Sequence, residues 1–222
     1  MYRTSELFDL EHTLARELLE GCAYPWLALP KIRETILSLG PALGEGYIET
    51  APQVWIHETA AVAPTASITG PCIIGPGTQV RHCAFIRGSA LIGADCVVGN
   101  SVELKNVIIF DGVEVPHFNY VGDSILGYRS HMGAGAVTSN IKSDRTNVVV
   151  KDGAEQIATG MLKIGAMLGD FAEVGCNSVL NPGTVVGRHS NIYPLSCVRG
   201  TVPAGSILKT GGVIVAKEEH HG

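Results

Sequence analysis

The chain has 222 residues, 45% hydrophobic and 17% charged, with a formal net charge of −5. That length suits one ordinary domain with an appendage, and the acidic balance argues against a nucleic-acid binder, which needs a broad basic footprint. No apolar run approaches the ~20 residues that span a bilayer and no signal-peptide core opens the chain, so a cytoplasmic protein with no membrane partner is expected.

Residues 1–50 read as an N-terminal helical cap. Leu7, Leu10, Leu14 and Leu18 form a stripe at helical spacing behind Ser5 as N-cap. Pro30 opens a second helix carrying Ile32, Ile36 and Leu39, which stops at Gly40-Pro41. This hairpin is expected to cover the open end of whatever follows and shield its strand edges.

Residues 51–210 then repeat in sixes. Ile56, Val62, Ile68, Ile74, Val80, Ile86, Ile92, Val98 and Leu104 form one unbroken aliphatic series; Leu168, Val174, Leu180, Val186, Ile192 and Val198 form another, ending at Ala204. Four places after each stands a mostly small residue, as in Ala66, Cys72, Thr78, Ala84, Ser178 and Ser190. Neither 3.6 nor 2 divides this period, so the segment is neither an amphipathic helix nor an alternating strand. A short fixed period with one obligatory aliphatic indicates an all-β fold, a parallel β-helix of hexapeptides whose coils stack ~4.8 Å apart. The 27 glycines, well above the usual ~7% of residues, fit its many corners.

Two interruptions break the count. Leu104 to Val121 is seventeen residues, one short of three hexads, and a displaced corner is expected in the segment of His117, Asn119 and Tyr120. A second break, an inserted loop at 141–163 with Lys142, Arg145 and Lys151, is expected to leave the core. Arg87 and Lys105 are eighteen apart and each follows an interior aliphatic, so they should stack and point outward. An anion between them would explain two stacked cations; two unrelated surface charges is the alternative. Residues 211–222 read as a C-terminal tail with solvated His220 and His221. The six cysteines show no CxxC pair and no metal-ligand spacing, so packing thiols and no metal are expected.

The pattern of an aliphatic, then Gly or a polar residue, then a small residue resembles the left-handed hexapeptide-repeat β-helix family, and left-handedness is inferred from that resemblance. Within it, "GNSVELKNVIIFDGVEVPHFNYVGDSILGYRSHMGAGAVTSN" resembles the acetyltransferase domain of the bifunctional glucosamine-1-phosphate acetyltransferase and N-acetylglucosamine-1-phosphate uridylyltransferase. The resemblance covers about residues 85–204, and the specific combination is H-x-x-Y-x-G-D followed by G-A-G-x-x-T-x-N. The Gly-rich nucleotide-binding domain of that family is absent from the sequence, so nucleotidyl transfer is not expected.

The resemblance implies an acetyl-CoA-dependent N-acetyltransferase acting on an amino-sugar 1-phosphate or nucleotide amino-sugar, assembled as a homotrimer. His117 matches the general base and Asn140 the asparagine at the acyl-transfer locus; Arg87 and Lys105 match the phosphate grip, and Tyr120 a substrate-contacting tyrosine. His131 stands where the family has a substrate-contacting asparagine, and Lys142 or Arg145, or neither, could stand in for a substrate lysine of the loop. Cys176, in place of a serine, and Pro194 fall beside the acyl donor. A histidine, with unperturbed pKa near ~6.5, suits a base at neutral pH. The alternative is a noncatalytic trimeric module that binds or assembles with sugar nucleotides. A metal-dependent carbonic anhydrase of the same fold needs a further imidazole five places after His117, where Gly122 stands.

Overall fold

The computed structural model describes residues 1–218; His220 and His221 lie outside them. The chain is a left-handed parallel β-helix of about nine turns, whose short strands follow the hexad count. Ile74, Val80, Ile86, Ile92, Val98 and Leu104 are all buried, as are Leu168, Val174, Leu180, Val186, Ile192 and Val198. The first members, Ile56, Val62 and Ile68, are only partly covered because no coil lies beneath them.

The prism has three faces, named here from the strands of one coil. The first contains Ala90–Ile92, the second Val97–Asn100, and the third Glu103 and Leu104. On the first face the outward side chains are apolar too: Ile73, Leu91, Ile108, Ile125 and Met167 form one in-register column, every member buried. The N-terminal segment covers them. Helix Ile32–Leu39 packs on the strands Ala90–Ile92 and Glu103–Ile109, and the 3-10 helix Pro25–Lys31 packs on Tyr120–Leu126. The helical segment therefore lies along a flank instead of covering the end of the prism. An antiparallel strand, Tyr47–Ala51, pairs with the first coil at Val54–His57.

The leucine stripe does not make one helix. Thr4–Leu7, Leu10–His12 and Arg16–Glu20 are separate short turns, and Leu14 is exposed. Asp9 interrupts the run: its carboxylate accepts from the Glu11 N–H, and its own N–H donates to Asp170 on the prism. At the other end the repeat does not simply decay. Ile214–Ala216 returns antiparallel to Ser206–Leu208 and covers the last coil's edge.

The missing residue is not at the His117 corner. Val115 to Val121 is a complete hexad, whereas Leu104 to the next interior residue, Ile109, is one short, and Val121 to Leu126 is short again. At these places the strands Glu103–Ile109 and Tyr120–Leu126 run through the corner between the third and first faces. Asn106 and Asp123 take the turn in the left-handed region, with φ of 55° and 48°. The inserted segment leaves at the same corner but does not loop away. Its strands Val149–Asp152 and Glu155–Ala158 form a hairpin. The hairpin folds back on Thr184–Val186 and Thr201–Val202, burying Val148 and Val150.

Candidate active site

The third face is bounded by two corners, and both carry polar side chains. Its near corner turns through a straight column in which Asn100, His117, Ala134, Cys176 and Pro194 succeed one another coil by coil. The carbonyls of Asn100, His117, Ala134 and Cys176 accept the N–H groups of Phe118, Gly135, Asn177 and Leu195, each the residue that follows the column member of the next coil. His117 is exposed, and so are Cys176 and Pro194. At ~4.8 Å per coil, Cys176 stands roughly 10 Å from His117 along the column.

Asn119 fixes this corner. It occupies the place four after Val115 where the repeat wants a small residue, and it is 3% exposed. Its Oδ1 accepts the His117 N–H at 3.0 Å, and its Nδ2 donates to the carbonyls of Gly133 at 2.8 Å and Ala136 at 3.0 Å. His82 lies two coils below His117 in the same column, with Thr65 Oγ1 at 3.0 Å from its Nδ1.

The far corner holds a hydrogen-bonded cluster centred on Asp123, whose side chain is almost fully buried. Lys105 Nζ donates to both carboxylate oxygens at 3.1 Å, Asn106 Nδ2 to one at 2.9 Å, and Asn140 Nδ2 to the other at 2.6 Å. Asn140 Nδ2 also donates to Tyr120 Oη at 3.1 Å. Burial, and secondarily the Asp123 charge, pushes the Tyr120 phenol up from its ordinary value. Gly122 makes room for this contact, because a Cβ there would overlap the Tyr120 hydroxyl and reach within 2.9 Å of Asn140 Nδ2.

Arg87 and Lys105 do stack, since Leu104 pairs with Ile86 and each cation is the next residue on its strand. Each, however, has its own carboxylate. Arg87 Nη1 meets Glu103 at 2.6 Å, and Lys105 meets Asp123. Their stacking therefore needs no bridging anion to explain it. Glu103, Asn106, Asp123 and Asn119 carry no signal in the hexad count. Their importance comes from register between coils.

The predicted residues divide into two corner groups and two outliers. Tyr120, Asn140, Lys105 and Arg87 gather at the far corner, and His117, Cys176 and Pro194 share the near one. His131 joins neither: it lies on the second face, in register between Glu114 and Glu173. Lys142 faces a separate cleft and pairs with Asp144 at 3.2 Å.

The sequence model of the family described as "GMPPB C-terminal domain" matches residues 68–155. A "bifunctional sugar-1-phosphate nucleotidylyltransferase/acetyltransferase" from Sulfurisphaera tokodaii is 31% identical over 165 residues, which is 74% of this chain and 41% of that protein. A "bifunctional protein GlmU" from Methanococcus maripaludis is 34% identical over 148 residues, 67% of this chain and 36% of that protein. The chain is a homologue of the C-terminal part of these bifunctional proteins. It spans well under half of their length. Among solved structures, the acetyltransferase domain of PglB from Neisseria gonorrhoeae, in complex with acetyl coenzyme A, matches at 18% identity and a TM-score of 0.33. That match covers 80% of this chain and 62% of the other. The family match over 68–155 spans Arg87, Lys105, His117, Tyr120, Asp123 and Asn140.

Proposed function

We propose that this chain is an acetyl-CoA-dependent acetyltransferase for an amino-sugar 1-phosphate or nucleotide-linked amino sugar, with His117 as general base. The observation that carries the reading is the third face itself. An exposed imidazole stands at one edge, in a column that leads to Cys176 and Pro194, and a Tyr120–Asn140 pair stands at the other. The sugar would lie across the face, and the acyl donor along the column. The His117 imidazole takes the proton from the attacking amine as its nitrogen bonds the acetyl carbon. The carbon–sulfur bond of the thioester breaks, and the departing thiolate receives the proton. Relatives named as acetyltransferases support the reaction class. A sugar phosphate would reach Arg87 and Lys105 only by competing with Glu103 and Asp123 for them.

That closure of both cations favours a second reading, a noncatalytic module that binds or assembles with sugar nucleotides. One assay separates the two. Acetyl transfer to a panel of amino-sugar phosphates and nucleotide amino sugars should be measurable, and His117→Ala should lower kcat by roughly 10²–10⁴ with the fold intact. A folded variant of undiminished activity would remove His117 from the mechanism, and no transfer to any acceptor would leave the noncatalytic module.

A further inference from the structure

The basic side chains left open on this flank are not the pair that the repeat arithmetic singled out. Followed upward, the column of Arg87 and Lys105 passes through Gly122 and Ser139 to Asn181 and then Arg199. At that height the inserted hairpin folds against the corner, and the two enclose a cleft of about 480 Å³. This volume falls within the range of small-ligand sites, ~300–1,000 Å³. Lys142, Lys151 and Arg199 line the cleft beside Asn181 and Thr201, and among the described residues no acidic side chain lines it.

The cleft's wall is fixed. Val148 and Val150 are buried beneath the hairpin, and Thr201 Oγ1 donates to the Lys151 carbonyl at 2.8 Å. Lys142 is shared with Asp144, while Lys151 and Arg199 have no carboxylate in ion-pair reach among the described residues. Lys151 and Arg199 come from parts of the sequence far apart, so no local helix or turn accounts for their meeting. Like charges gathered in a concave site repel, and an anion with several oxygens relieves that repulsion by accepting charge-assisted hydrogen bonds.

We propose that this cleft binds the phosphate or diphosphate group of a ligand. Arg199 stands four coils above Lys105, roughly 19 Å away, so one phosphate cannot touch both. The cleft is thus a second anion position, and it does not depend on acetyl transfer. The same chemistry is offered by the diphosphate of a nucleotide sugar and by that of coenzyme A.

Calorimetric titration with inorganic pyrophosphate tests the site. Binding is expected, and Lys151→Gln and Arg199→Gln should each weaken it roughly 10- to 100-fold, the scale of one charged hydrogen bond. Arg33→Gln, on the exposed side of the helix Ile32–Leu39, should leave it unchanged. Competition by uridine diphosphate or by coenzyme A then identifies which diphosphate the cleft accepts. A readout without variants is protection of Lys151 from amine acylation by pyrophosphate, followed by mass spectrometry. No binding at millimolar pyrophosphate, or an equal loss in Arg33→Gln, would overturn the site. Pyrophosphate binding without any acetyl transfer would instead count against the proposed activity and leave the cleft standing.

Discussion

Asn119 fits a column of small residues because each of its side-chain polar atoms has a backbone partner. Asn119→Ala would leave the His117 N–H and two carbonyls without those partners. A loss of about 2–4 kcal/mol is expected in urea denaturation, since each buried unpaired group costs ~1–3 kcal/mol. An effect below ~0.5 kcal/mol would mean that the corner holds itself. Two other members of the small column, Cys72 and Cys96, are buried, and desolvation pushes each thiol up from an ordinary value near 9 to about 12. A folded pKa above the unfolded one favours the protonated folded state. The stability it contributes is complete below about pH 9 and is lost as pH rises toward about 12. Melting temperature should accordingly fall between pH 8 and 11, and a thiol reagent at pH 8 should reach the exposed Cys83, Cys176 and Cys197 first. Rapid labelling of Cys72 in the folded protein would contradict that order.

At the scale of the element, a strand that runs straight through a corner loses one residue, and the polar cluster is built where it does. Lys105, Asn106 and Asp123 can meet because the shortened corner repeats in two successive coils, which puts the Asp123 carboxylate over the donors of the coil below. The inserted hairpin is the other irregular element, and Val150 anchors it. Val150→Asp should detach the hairpin, because burying a lone carboxylate costs more than leaving the segment in water. Limited proteolysis should then cut within 141–163 while the circular dichroism of the β-helix persists. A variant as resistant as the parent chain would show that the hairpin is held by its backbone contacts, such as that between Thr201 and Lys151.

For the whole molecule, two flanks of the prism differ in cover. The helical segment closes the first face, whereas Phe85 and Val179 on the third face, and Phe118 and Leu195 at its near corner, remain exposed. A closed threefold ring would cover these side chains identically in every copy, which supports the proposed homotrimer. Light scattering at micromolar concentration should give three times the chain mass. Leu195→Asp combined with Phe118→Asp should shift that mass toward the monomer. A monomeric parent chain would contradict the homotrimer.

The interior of the β-helix was legible in the sequence because one aliphatic per hexad is a local requirement, repeated at every strand. Helix Ile32–Leu39 was legible for a similar reason, with Gly40-Pro41 ending it. What lay beyond local pattern was decided by tertiary structure. The seventeen-residue spacing is visible in the sequence, but which corner lost the residue depends on strand pairing, since Leu104 and Val121 fix only the sum over three corners. Tertiary structure likewise decided the flank on which the helical segment lies, the partners of Arg87 and Lys105, and the meeting of Lys151 with Arg199. In each case the partners are brought together by stacking of coils or folding back of an insertion, and stacked neighbours lie sixteen or more residues apart in a chain whose periodic signal repeats every six.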